Sequence, residues 1–140
     1  MTGNDLTALA AASGRRALQA LLPVCAQARV YGLKLSEADA AAVVQANTDA
    51  LERCGRIEFG EPLPARLLAA FASSPYLSDA QTLCELTDVF YECKNAVGDA
   101  VGDGELLRFM RQAFDGTCGG APGAVADAVL ARFGWNGGAE

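Results

Sequence analysis

Near the end of one long helical pattern, Tyr91, Lys94 and Asn95 carry the residue types from which a small reactive site is made. Tyr91 lies three residues before Lys94 and four before Asn95, so on a helix all three share a face. With Arg56 and Glu58 from a preceding connector they could line a polar pocket, in which a desolvated Lys94 would serve proton transfer or form a Schiff base. The plainer alternative makes Tyr91 a core-edge aromatic, Lys94 a solvated cation and Asn95 a helix terminator. Glu85, Asp88 and Glu92 also fall on one helical face. Carboxylate-bridged metal bundles need further inward carboxylates and Glu-x-x-His pairs, however. The chain has no histidine, so this reads as a solvated face with no metal site.

Two further groups invite the same question. Gly116-Thr117-Cys118-Gly119-Gly120 precedes a helix and could form an anion-binding nest. No strand precedes it and no Lys-Ser or Lys-Thr follows, so it is not a phosphate-binding P-loop. A helix–helix connector is the alternative. Asn47 sits in the middle of an apolar helical stripe. A buried amide left unpaired costs about 1–3 kcal/mol, so it is expected to bond a backbone carbonyl or the Arg56–Glu58 connector.

The missing histidine excludes most familiar chemistry, including Ser-His-Asp and Cys-His arrangements and HExxH sites. Cys25, Cys54, Cys84, Cys93 and Cys118 form no CxxC pair. Cys84 and Cys93, nine apart, lie on opposite helical faces. Reduced thiols are expected, with neither disulfides nor structural zinc. No cofactor is indicated.

The net charge of −6 and the scatter of eleven basic residues argue against a nucleic-acid surface. That reading would need Arg108, Arg111 and Arg132 to gather on one face. No run approaches the roughly 18 uncharged apolar residues of a membrane span. Asp5, Arg15, Arg16 and Pro23 interrupt any secretion-signal pattern. The expected compartment is the cytoplasm.

These residues must be positioned by helices. The 51% apolar, alanine-rich composition favours a packed helical chain, and 140 residues suit a single domain. Residues 1–14 read as a flexible N-terminal arm, 15–134 as the helical domain and 135–140 as a frayed tail. Leu18, Leu21, Leu22 and Cys25 mark a first helix, kinked or restarted at Pro23 and ended by Gly32. Ser36 caps a second, which Gly55 stops.

The segment Arg56-Ile57-Glu58-Phe59-Gly60 reads as an extended connector with Ile57 and Phe59 turned into the core. Pro62 and Pro64 open a short helix, and Ser73-Ser74-Pro75 ends it. Ser78 with Gln81 matches a capping box for the long helix, whose stripe is Leu83, Leu86, Phe90 and Val97. Two more helices carry Leu106, Leu107, Met110 and Phe114, then Val125, Val129, Leu130 and Phe133. The expectation is all-α: an irregular bundle of five to six short-to-medium helices.

Tyr31-Gly32-Leu33-Lys34-Leu35-Ser36, Gly55-Arg56-Ile57-Glu58-Phe59-Gly60, Ser73-Ser74-Pro75-Tyr76, Phe90-Tyr91-Glu92-Cys93-Lys94-Asn95 and Phe114-Asp115-Gly116 resemble, in order, a bacterial family known as domain of unknown function 6323. The resemblance spans roughly residues 30 to 120 and implies one bacterial, cytoplasmic domain, with no activity attached.

Two functions remain from this reading. One is a non-catalytic helical interaction or accessory module, contacting a protein partner or a second copy through Phe59 and Tyr76. The other is a small-molecule binder or minor enzyme built on Arg56, Glu58, Tyr91, Lys94 and Asn95.

Overall fold

The computed structural model describes the backbone of residues 2–58 and 61–134, and side chains from Gly14 onward within those ranges. The described residues form six α-helices with no strand: α1 Thr2–Ala28, α2 Glu37–Cys54, α3 Leu63–Phe71, α4 Ala80–Val97, α5 Asp103–Asp115 and α6 Pro122–Phe133. A short 3₁₀ turn, Arg29–Tyr31, follows α1. The all-helical bundle expected from periodicity is what forms. The stretch expected as an N-terminal arm has helical backbone from Thr2, and α1 continues through Pro23 without a restart. The tail 135–140 lies outside the described residues.

Helix α4 is the centre of the arrangement. It packs against α2 on one side and α6 on the other, and also touches α3 and α5, while α1 lies on α2 and α3. Its buried positions extend beyond the expected stripe to Thr87, Val89, Tyr91, Cys93 and Lys94. A helix covered on several sides must bury polar groups as well as apolar ones, and each then needs a partner. Thr87 finds one within its own helix, donating to the Leu83 carbonyl at 2.9 Å. Phe71 and Phe114 meet edge-to-face at 5.4 Å, joining α3 to α5.

Helix ends follow local chemistry. Ser36 and Asp39 form a reciprocal capping box, with Ser36 Oγ accepting from the Asp39 amide at 3.0 Å and Asp39 Oδ2 from the Ser36 amide at 2.9 Å. At the other end of α2, Gly55 adopts φ +67°. The amides of Gly55 and Arg56 then close back on the carbonyls of Glu52 and Leu51, a Schellman stop that needs a left-handed residue.

The start of α4 differs from expectation. Its cap is Asp79, one residue past Ser78, and its side chain accepts from the Thr82 amide at 2.9 Å. Gln81, expected to reach back to the cap, bonds Glu85 instead. Aspartate and serine cap about equally well, and here Asp79 also takes the Thr82 hydroxyl at 2.8 Å. Ser36→Ala and Asp79→Ala are each expected to lower stability by about 0.5–2 kcal/mol, and Ser78→Ala by less than either. Urea melts of the three variants check the order.

Candidate functional site

The connector after α2 runs opposite to the expected sense. Ile57 is 76% exposed, whereas Glu58 turns inward. Neighbouring residues of an extended segment face opposite sides, so whichever side chain has the stronger inward partners sets the other's direction. The Glu58 carboxylate has three. It accepts from the Leu63 amide at 2.8 Å, from the Tyr91 hydroxyl at 3.1 Å and, at a longer 3.3 Å, from Asn47 Nδ2.

The first bond places a carboxylate on the N-terminus of α3, where free amides and the helix dipole favour negative charge. The next residue, Pro64, has no amide to satisfy. Phe59, expected inward with Ile57, lies outside the described residues.

Tyr91 is held between burial and this carboxylate. Desolvation first, then the charge and hydrogen bond of Glu58, push its phenol well above the usual range, so it stays protonated and acts as donor. Asn47 is only 2% exposed. Its amide nitrogen meets Glu58 as the stripe position suggested, while its Oδ1 has no partner among the described residues.

A second group lies across the same hollow. Lys94 is 7% exposed. Its Nζ donates to the Val101 carbonyl and pairs with Asp103 Oδ1 at 3.1 Å. Arg66 of α3 reaches Oδ2 of the same aspartate at 3.3 Å. Lys94 sits in the last turn of α4 and Asp103 in the first turn of α5, so each charge also faces the favourable end of its own helix dipole. Burial disfavours the ionised Asp103 carboxyl, but the Lys94 and Arg66 bonds and charges outweigh it and hold the group below the usual carboxylate range.

Of the five residues expected to converge, four line one cavity: Arg56, Glu58, Tyr91 and Lys94. Arg66, Asp103 and Glu61, which spacing alone did not single out, line it too, along with Ile57, Leu63 and Phe90. The cavity is about 60 Å³, room for a few waters rather than an organic ligand. Asn95 stands outside it as a tether. It accepts from Arg56 Nη1 at 2.7 Å and donates to the Cys54 carbonyl at 3.2 Å, tying α4 to the end of α2. Arg56 also approaches Asp99 at 3.7 Å. Arg56, Glu58, Arg66, Lys94 and Asp103 thus each have a partner within the protein. Held between a carboxylate and a backbone carbonyl, the Lys94 nitrogen occupies a structural position rather than one open to a carbonyl substrate.

The other constellations also resolve into structural contacts. Glu85 bonds Gln81 and Asp88 pairs with Arg53 at 3.5 Å. No group of three or more metal-capable side chains occurs among the described residues. In the glycine loop, the amides of Gly116, Cys118, Gly119 and Gly120 are all spent on carbonyls from Gln112 to Gly116, so they form no open nest. Gly120, at φ +85°, lies under Tyr76, where any Cβ would come within 2.7 Å of the tyrosine Cβ. Tyr76 is held there, its ring 6.2 Å from that of Phe114.

Arg111 turns to the protein, donating to Asp115, the Ala70 carbonyl and Ser73, while Arg132 stacks over Phe133. All five cysteines are free thiols. Burial, with Glu92 nearby, pushes the Cys93 thiol up to about 12. No helix among the described residues is long and apolar enough to cross a membrane.

Two outcomes test this network. Glu58→Ala is expected to cost on the order of 1–3 kcal/mol for each buried group it strands. A double-mutant cycle with Asn47→Ala, read by urea melts, should show coupling of about 0.5 kcal/mol or more. For Asp103 the sign follows from its lowered value. A carboxyl depressed in the folded state stabilises above its unfolded value near pH 4, and that stability drains away as pH falls through the folded value. The deficit of Asp103→Asn against the parent should therefore be present at neutral pH and shrink in acid.

The model of the Family of unknown function (DUF6323) matches residues 20–136. No curated protein and no solved structure matches the chain.

Proposed function

The chain belongs to the Family of unknown function (DUF6323), and we propose that it serves as a non-catalytic interaction module of the bacterial cytoplasm whose contact face is the groove between α1 and α3. The observation that carries this reading is the exposure of Val30 at 83% and Tyr31 at 62%, at the end of that groove. Large apolar side chains standing together in water mark contact surfaces, and tyrosine is among the residues that anchor them.

Their exposure is built in. Ala28 and Leu33 on either side are buried, at 1% and 3%. Gly32, at φ +86°, closes the turn with its amide on the Arg29 carbonyl at 2.9 Å. The intervening pair is thereby held outward, and little ordering is left for a partner to impose.

The groove itself is two adjoining hollows. One, of about 340 Å³, is lined by Ala20, Val24, Pro62, Ala65 and Ala69, with Glu61 and Arg66 at its edge. The other, of about 320 Å³, is lined by Val24, Gln27, Ala28, Ala69 and Ala72, with Val30 and Tyr31 as its wall. Both are several times larger than the polar cavity around Glu58 and Lys94 and are walled mostly by alkyl groups. In the polar cavity Arg66 and Lys94 are paired with Asp103 and Arg56 with Asp99, which counts against the small-molecule reading.

A photo-crosslinking amino acid placed at Gln27 or Tyr31 in the native cell is expected to give a protein adduct. The same residue at Gln45, exposed on α2, should give none. Absence of an adduct at both groove positions would overturn the proposal.

A further inference from the structure

We draw no further inference here: the strongest candidate, the apolar hollow of about 280 Å³ between α4 and α6 lined by Glu92, Cys93, Ala96, Ala126 and Leu130, carries nothing because nothing in the structure shows what covers it.

Discussion

One carboxylate joins three helices. Glu58 comes from the connector that follows α2, caps the first turn of α3 and accepts the Tyr91 hydroxyl from α4, while Asn47 of α2 approaches it from behind. Burying a charge is costly unless hydrogen bonds replace its lost water, and here they come from separate parts of the chain. The helices must therefore arrive together for any of them to be satisfied. This coupling reverses the connector, sending Ile57 to solvent and drawing a glutamate inside.

The same logic repeats one turn further along α4. Lys94 is nearly enclosed, and its ammonium is matched by a carboxylate and a backbone carbonyl across the turn that leads into α5. Arg66 joins the same carboxylate from α3. A buried cation paired in this way does little for net stability compared with an apolar substitute, but losing one partner is costly. Its effect is to specify which ends of α3, α4 and α5 meet. The side chains that looked most reactive are thus committed to holding the helices in register.

That commitment shapes what remains for function. With the polar residues around Glu58 and Lys94 paired internally, two apolar surface features stand out: the alanine-walled groove between α1 and α3 and the exposed Val30–Tyr31 pair beside it. The projection is supported by buried neighbours and a left-handed glycine. Its exposure is what a contact surface needs.

The sequence by itself determined the helices and most of their ends. Apolar residues recurring every three or four positions, Ser36 before α2, Gly55 after it and the prolines around α3 act through bonds within a few residues, so they can be read from one strand of text. The reading slipped by one residue at α4, where Ser78 and Asp79 are both able caps and only the actual hydrogen bond separates them. For Asn47 it left two partners open, a backbone carbonyl or the Arg56–Glu58 connector, and only the fold selects Glu58. The inward turn of Glu58, the burial of Lys94 and the recruitment of Arg66 and Asp103 were decided by tertiary structure alone. Each depends on a partner between 5 and 37 residues away in sequence, and which of two alternating side chains faces inward is settled only when that partner is in place.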